Sequence, residues 1–447
     1  MNRREFLGGL AASALPAPAA DRKPNIVFIL ADDLGYGDLG CYGQKLIQTP
    51  NIDRFAAEGI RFTQAYAGCT VCAPSRCALM TGLHTGHCRI RGNTRMDLQP
   101  QDLTVAKLLQ RAGYKTALFG KWGLGTAGHE GIPNRQGFDE FFGYLDQQHA
   151  HEYYPDHLWD NDREHFLPNN FGPSRKTYSP DLFLEHALSF VEKNKDRPFF
   201  LYFADIIPHA NNELTRMTGN GMEVPEDAPY SGKPWPQPDK NFAAVITRLD
   251  RDVGRLLDKI RELGLDRNTL VIFTSDNGPH KEGGNHPEFF DSHGPLRGIK
   301  RDLYEGGIRI PSIARWTGVT PVGRVSDEPW AFWDFLPTAA EIAGITAPMR
   351  LDGISVVPAL KGKALPARPY FYWEFHEQGF SQAVRLGDWK GIRQKSRRNP
   401  IELFDLKTDL AEEHDMAAAH PDLVNKIAGI MERARVDSPD FPVTGSV

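Results

Sequence analysis

Residues 26–30 read Ile-Val-Phe-Ile-Leu, and the segment Ala31-Asp32-Asp33-Leu34-Gly35 follows them directly. An unbroken apolar run of this length predicts a strand that is buried on both faces, as in a parallel sheet. Asp32 and Asp33 then stand at the carboxyl end of that strand. Because neighbouring strand side chains point to opposite faces, the two carboxylates can converge only where the strand has given way to a loop.

Two further stretches repeat this arrangement of a buried strand that ends in polar residues. Residues 270–273 are apolar and lead into Asp276-Asn277, and residues 199–204 lead into Pro208-His209. An apolar stripe over residues 243–263 predicts a long helix between these two strands. The alternation predicts an α/β fold with a large mixed, mostly parallel sheet flanked by helices. Sites in such folds lie beyond the carboxyl ends of the strands, where both acidic clusters stand.

A third stretch, Cys72-Ala73-Pro74-Ser75-Arg76, predicts the start of a helix. Proline fits the first turn of a helix because its missing N–H would be unpaired there anyway. Cys72 would therefore lie at a helix N-terminus with the Arg76 cation one turn away. Free backbone N–H groups and the positive end of the helix dipole make such a place suited to an anion.

The predicted secondary-structure pattern changes near the C-terminus, from alternating strands and helices to short strands joined by tight turns. Short strand patterns with tight turns cover residues 370–375, 382–386, 389–393 and 402–406, and a helix pattern covers residues 421–433. We expect a main domain over residues 21–362 and a smaller subdomain over 363–447, with a short antiparallel sheet and a helix. Five prolines within 219–238 predict a long irregular loop near the site.

Charge and composition exclude two classes of partner. The net charge of −5 gives no electrostatic footprint for nucleic acid. No apolar run reaches about 18 residues, so no membrane span is expected. Residues 1–20 contain Arg3-Arg4 followed by an apolar run and small residues, which indicates a twin-arginine signal peptide. We therefore expect a bacterial protein that is periplasmic or secreted; the alternative is an apolar N-terminus without this role.

Export makes the cysteine count informative, because thiols can pair in an oxidising compartment. The chain has five cysteines, so at least one is unpaired. Cys69 and Cys72 form a CxxC pattern, which is compatible with a redox pair or half a zinc site. The chain has no second CxxC, which weakens the zinc interpretation. A disulfide between Cys69 and another cysteine stays open.

The acidic clusters offer oxygen ligands for a metal ion. Asp32, Asp33 and Asp276 supply carboxylates, and Asn277 adds an amide oxygen. Hard oxygen donors suit Ca²⁺ or Mg²⁺ and argue against zinc. An Asp-Asp pair alone is more often a cap or a solvated turn, and Asp-Asn-Gly alone is usually a turn. Their occurrence together at two strand ends favours the metal site.

These motifs together resemble one family, the type I (formylglycine-dependent) sulfatases of the alkaline phosphatase superfamily. The pattern Cys72-x-Pro74-Ser75-Arg76 with Thr81-Gly82 resembles the signature of that family. The resemblance covers nearly the whole mature chain and includes Ala31-Asp32-Asp33-Leu34-Gly35, Gly120-Lys121-Trp122, Gly137-Phe138-Asp139, Pro208-His209, Ser275-Asp276-Asn277-Gly278, Tyr304-Glu305-Gly306-Gly307, Asp334-Phe335-Leu336-Pro337-Thr338, Asp352-Gly353-Ile354-Ser355 and Leu403-Phe404-Asp405-Leu406.

The resemblance implies a specific cofactor chemistry. A formylglycine-generating (maturing) enzyme would oxidise Cys72 to formylglycine (3-oxoalanine), whose hydrate is the nucleophile toward a sulfate monoester. The metal ion, expected to be Ca²⁺ with Mg²⁺ as the alternative, would be held by Asp32, Asp33, Cys72, Asp276 and Asn277.

The resemblance also implies the catalytic set. The catalytic residues would be Cys72, Arg76, Lys121, His209 and Lys300. Of these, Arg76, Lys121 and Lys300 would offset charge on the transferring group, while His209 and Lys300 would lie near the leaving oxygen. Separately from the resemblance, the expected substrate is a sulfated saccharide, because export suits external polymers and because Trp159, Trp235 and Tyr153 could stack on sugar rings.

One position departs from the family pattern. Many members have a histidine two residues after the lysine, where this chain has Gly123. That histidine contacts the formylglycine hydroxyl in the family, and glycine cannot replace it. We expect His149 or His151 to fill part of the space or to bind substrate. Two alternative functions stay open at this point: a phosphate mono- or diester hydrolase of the same superfamily, and a non-catalytic carbohydrate-binding relative.

Overall fold

A computed structural model describes residues 22–347 and 350–443. The predicted signal peptide at residues 1–20 lies outside this part of the chain. The described residues form two sheets, one of eleven strands and one of four. No described helix is both long enough and apolar enough to cross a membrane.

The strands of the large sheet are β1 (Asn25–Ala31), β2 (Ile60–Tyr66), β3 (Lys115–Lys121), β4 (Glu140–Tyr144), β5 (His157–Asp160), β6 (Arg163–Phe166), β7 (Phe199–Ala204), β8 (Thr269–Ser275), β9 (Arg309–Trp316), β10 (Arg324–Ser326) and β11 (Trp330–Ala331). The small sheet contains β12 (Phe371–Phe375), β13 (Ser381–Leu386), β14 (Trp389–Arg393) and β15 (Ile401–Asp405). The helices are α1 (Pro50–Glu58), α2 (Cys72–Thr81), α3 (Val105–Arg111), α4 (Ser179–Lys193), α5 (Asn212–Thr218), α6 (Gln237–Glu262), α7 (Glu305–Ile308), α8 (Phe335–Ile342), α9 (Val357–Leu360) and α10 (Pro421–Arg433).

The centre of the large sheet is parallel. Its strand order is β10-β2-β9-β8-β1-β7-β3-β4-β5-β6, with β11 paired to β2. Strand β1 pairs in parallel with both β7 and β8, and β3 pairs in parallel with β7 and β4. Antiparallel pairs appear toward the edges, at β9 and at β5 and β6. The predicted mixed, mostly parallel α/β sheet is confirmed.

The register of the central strands brings their carboxyl ends to one edge. Ala31 lies opposite Ser275, so the residues that follow β1 and β8 emerge side by side. Gly120 lies opposite Ala204, which places the end of β3 next to the end of β7. This edge therefore collects the polar residues that follow four different strands, as the rule for parallel sheets requires.

Helix α6 differs from its predicted bounds. It begins at Gln237, six residues before the start predicted from the apolar stripe, and its first turn contains a proline. The prediction of irregular structure through residue 238 was therefore wrong at its end. Proline is tolerated at this place because the first helical N–H groups have no intrahelical partner.

The small sheet is antiparallel and has α10 packed against it, as predicted. Its strand β12 also packs toward the large sheet. The Trp373 indole Nε1 donates a hydrogen bond to the Ala67 carbonyl at 2.9 Å, and its ring lies 5.3 Å from the Tyr66 ring. Buried aromatic contacts of this kind join the two sheets.

Candidate active site

The loop after β1 turns both acidic side chains toward one point. Asp33 has a φ of 67°, a left-handed conformation that short polar side chains tolerate better than most. The Asp33 N–H donates a hydrogen bond to Asp276 Oδ1 at 3.1 Å, so the loops after β1 and β8 are tied together. Both side chains are fully buried. The convergence predicted from the end of the strand is present.

Asn277 completes this group of oxygen atoms. Its Nδ2 donates to Asp33 Oδ1 at 2.7 Å, whereas its buried Oδ1 has no hydrogen-bond partner. A buried amide oxygen without a partner is costly in a folded protein. A cation beside the three carboxylates would supply the missing partner, so the residues fit a bound divalent ion.

Cys72 is the first residue of α2, and Pro74 follows in the first turn. Its Sγ lies 3.3 Å from Asp32 Oδ1 and 4.0 Å from Asp33 Oδ1. Burial and the Asp32 carboxylate raise the pKa of the Cys72 thiol well above its ordinary value. A thiol in this place is therefore protonated and a poor nucleophile at neutral pH.

Three buried cations lie against the three carboxylates. Arg76 contacts Asp276 Oδ2 at 2.9 Å, Lys121 Nζ contacts Asp32 Oδ2 at 2.6 Å, and Lys300 Nζ contacts Asp33 Oδ2 at 2.8 Å. Arg76 also donates to the Lys121 carbonyl at 2.7 Å. The site thus pairs each buried charge before any ligand is added.

The electrostatic surroundings give Asp32 and Asp276 very different pKa values. Burial opposes the charge of Asp32, but the charges of Lys121, Arg76 and Lys300 outweigh it and hold its pKa well below the ordinary value. Burial raises the pKa of Asp276 to about 7, with the neighbouring Asp32 charge adding to the shift. Added positive charge would favour the ionised form of Asp276.

His209 lies beside this cluster, at the end of the segment that follows β7. Its Nε2 is 3.3 Å from Lys300 Nζ and 3.6 Å from Asp33 Oδ2, and its Nδ1 is 2.7 Å from the Ala210 carbonyl. The contact to a carbonyl assigns the ring proton to Nδ1. The structure thus brings together all nine predicted residues: Asp32, Asp33, Cys72, Arg76, Lys121, His209, Asp276, Asn277 and Lys300.

Tyr153 was predicted as a sugar-stacking residue, and this prediction was wrong. The ring is fully buried, and its hydroxyl donates to the His209 carbonyl at 2.6 Å. Its role is to hold the backbone at His209. Trp235 packs against Phe290 with ring centroids 5.6 Å apart, and Trp159 lies on β5.

The space beside Gly123, where a side chain would lie, is occupied by the Gln147 side chain. The Gly123 φ of 77° is left-handed, and a Cβ built on this residue would lie 2.1 Å from Gln147 Nε2. The sequence gives no sign of this contact, because the two residues are 24 positions apart. Of the two histidines expected near this place, His151 stacks on His209 at 4.9 Å, whereas His149 packs against Tyr144 and His157.

Glu282 is a second residue that the sequence analysis missed. Its carboxylate contacts Lys300 Nζ at 3.0 Å and also pairs with Arg301. A cavity of about 410 Å³ lies at this place and is lined by His280, Lys281, Glu282, Ile299, Lys300, Arg301, Asp302 and Gln378. The cavity therefore adjoins the Lys300 side of the cluster.

All five cysteines are free thiols. The disulfide that the sequence left open for Cys69 is not formed. The Cys69 Sγ lies 3.5 Å from the Glu374 carbonyl, so Cys69 and Cys72 have different surroundings. Among the described residues, Cys69 belongs to no cluster of potential metal ligands, so half a zinc site is not formed at this CxxC.

Comparison with known proteins gives family matches over most of the chain. The family model described as Sulfatase matches residues 24–345, and the model described as N-sulphoglucosamine sulphohydrolase, C-terminal, matches residues 297–436. N-acetylgalactosamine-6-sulfatase from Canis lupus familiaris is 32% identical over 416 residues, covering 85% of this chain and 74% of that protein.

Two further comparisons agree. Arylsulfatase A from Homo sapiens is 36% identical over 421 residues, covering 87% of this chain and 77% of that protein. The crystal structure of Ps i-CgsB in complex with k-i-k-neocarrahexaose matches with a TM-score of 0.80 and 31% identity, covering 92% of each chain.

The packing at Gly123 generates a stability prediction. We expect Gly123→Ala to lower the free energy of unfolding by about 1–2 kcal/mol for the left-handed backbone, plus a steric cost from Gln147. Gly113→Ala is the matched control, because Gly113 has a φ of 85° and nothing near its Cβ position. Urea denaturation of Gly123→Ala, Gln147→Ala and the double variant separates the two costs. Additive effects in this cycle would contradict the Gln147 contact.

Proposed function

The chain belongs to the sulfatase family, and we propose that it releases inorganic sulfate from a sulfated saccharide, using formylglycine at position 72 and a divalent cation. The observation that carries this proposal is the position of Cys72 at the start of α2, against Asp32 and next to the ion-paired cluster. The family makes the chain a sulfatase, a hydrolase of sulfate esters. The cofactors and the saccharide are the proposed part.

The surroundings of Cys72 support its modification. A buried thiol that is protonated at neutral pH would serve poorly as a nucleophile in its own right. Formylglycine at this position would supply, as its hydrate, an oxygen nucleophile. A separate maturing enzyme would be needed to form it.

The donor set supports one divalent cation. Asp32, Asp33, Asp276 and the partnerless Asn277 Oδ1 would hold it, together with the modified side chain at position 72. Oxygen donors of this kind suit Ca²⁺, with Mg²⁺ as the alternative. Such an ion would act as a Lewis acid toward a sulfate oxygen.

The chain's own cations would bind the charged ester. Arg76, Lys121 and Lys300 are held rigidly by ion pairs, so they would stabilise negative charge without reorganising. His209 carries its ring proton on Nδ1, and its Nε2 accepts from Lys300. Lys300 Nζ is therefore the atom that would hold a proton for the leaving oxygen.

The arrangement favours a sulfatase over a two-metal phosphatase. A second metal ion would need further ligands close to Asp32 and Asp33. The ammonium groups of Lys121 and Lys300 already contact the outer carboxylate oxygens of those residues. Among the described residues, this cluster has room for the ligands of one ion.

Support for a saccharide substrate comes from relatives and from the cavity. A relative named N-acetylgalactosamine-6-sulfatase and a solved structure containing k-i-k-neocarrahexaose both match the chain. The cavity of about 410 Å³ beside Lys300 would receive the sugar. We further propose export to the periplasm or beyond, and a division into residues 21–362 and 363–447.

The proposed function predicts sulfate release that depends on position 72. We expect purified protein, made together with a maturing enzyme, to release sulfate from members of a panel of sulfated oligosaccharides, measured by ion chromatography. Cys72→Ala should lower kcat at least about 10³-fold, because it removes the nucleophile. Faster release of phosphate than of sulfate from matched aryl esters would instead indicate the phosphate-ester alternative.

Metal binding makes a separate prediction that does not require turnover. Adding Ca²⁺ to chelator-treated protein at about 100 times its Kd should raise the free energy of unfolding by about 2.7 kcal/mol. Asn277→Leu should remove most of this gain, because it deletes the partnerless oxygen. Asn399→Leu, at an exposed position, is the control. No stabilisation by Ca²⁺ or Mg²⁺ in urea denaturation would contradict the metal site.

A further inference from the structure

His151 and Glu213 form an ionisable pair against the active site that the proposed mechanism does not use. His151 lies in the short turn His149–His151 after β4, and Glu213 lies in the first turn of α5. The His151 Nδ1 is 2.9 Å from Glu213 Oε2. A histidine whose one nitrogen is fixed by a carboxylate has a defined tautomer and ring orientation.

The ring of His151 lies flat against the ring of His209. The centroids are 4.9 Å apart and the planes differ by 16°. Because Nδ1 donates to Glu213, the lone pair of the neutral ring is on Nε2, which has no hydrogen-bond partner among the described residues. The side chain is 17% exposed, so this nitrogen is not sealed in the core.

We propose that His151, oriented by Glu213, is a further residue of the active site that positions His209 and holds a proton at its own Nε2. The inference rests on the proposed function and adds a second proton-carrying side chain to the Lys300 and His209 side of the cluster. Glu213 acts through His151 and is a positioning residue.

The packing around Gly123 supports this assignment. Position 123 carries no side chain, and the amide of Gln147 occupies the space where one would begin. The same segment continues to His151, and Asp146 Oδ1 accepts hydrogen bonds from the N–H groups of Gln148 and His149. Residues 146–151 therefore fill the space beside Gly123 through Gln147 and also place the ionisable ring of His151 against His209.

The charges around His151 set its protonation. Burial lowers the pKa of His151, the cations Lys121 and Lys300 lower it further, and Glu213 raises it. His209, whose ring stacks on that of His151, is itself neutral through burial and the Lys300 charge, which lower its pKa. His151 is thus neutral near pH 7 and able to accept a proton at Nε2. A bound sulfate dianion nearby would favour the protonated ring.

The first test measures the pKa of the His151 ring in a variant that lacks the nucleophile and so cannot hydrolyse the substrate. In the full-length Cys72→Ala variant with Ca²⁺, we expect inorganic sulfate to raise the pKa of His151, followed by NMR of labelled histidine rings. Glu213→Gln should lower that pKa, because it removes the stabilising charge. His149, in the same turn but packed on Tyr144, should not respond to sulfate. A His151 titration unchanged by saturating sulfate would overturn the proposal.

The second test uses the active enzyme and distinguishes the contribution of the His151 Nε2 atom from that of the stacked aromatic ring. His151→Phe keeps an aromatic ring against His209 and should lower kcat about 10²-fold or more, with KM within about twofold. Glu213→Gln should shift the pH dependence of kcat in the direction of the lower His151 pKa. His149→Gln is the matched control, with kcat expected to stay within about twofold of wild type.

These outcomes distinguish failure of the inference from failure of the proposed function. Wild-type sulfate release together with an unchanged His151→Phe enzyme would refute the role of His151 alone. Absence of sulfate release from the wild type would refute the proposed function, while the NMR titration in Cys72→Ala would still decide whether His151 senses an anion in the site.

Discussion

The central constraint is the neutralisation of three buried carboxylates by three buried cations at one edge of the large sheet. Asp32, Asp33 and Asp276 can be buried together only because Arg76, Lys121 and Lys300 lie within hydrogen-bond distance of them. Removing one member would strand a buried charge, which typically costs about 3–5 kcal/mol. The register of β1 with β8 and the start of α2 bring these groups together.

This balance also explains how a charged ester would be received. With all three carboxylates ionised, a divalent ion would give the cluster excess positive charge, which a sulfate group would offset. In the proposed function, Lys300 would hold a proton beside His209. The Tyr153 hydroxyl donates a hydrogen bond to the His209 carbonyl and so fixes the backbone there. The pair of His151 and Glu213 extends this side of the site, where Gly123 contributes no side chain.

Much of this arrangement is predictable from the sequence. Apolar runs that end in acidic residues predict a parallel sheet with carboxylates at one edge, and the short patterns after residue 370 predict the antiparallel sheet. The roles of Gln147, Glu213 and Glu282 are not predictable, because each acts on a residue far away in the chain. The burial of Tyr153 is equally unpredictable from the sequence, because an aromatic residue near a site can lie either in the core or on the surface.

The most direct measurement is the mass of the peptide that contains position 72, from protein produced together with a formylglycine-generating enzyme. We expect a residue lighter than cysteine at that position, and unmodified cysteine in protein made without the maturing enzyme. An unmodified Cys72 in protein that nevertheless releases sulfate would contradict the formylglycine mechanism, because the buried, protonated thiol would then have to act as the nucleophile itself.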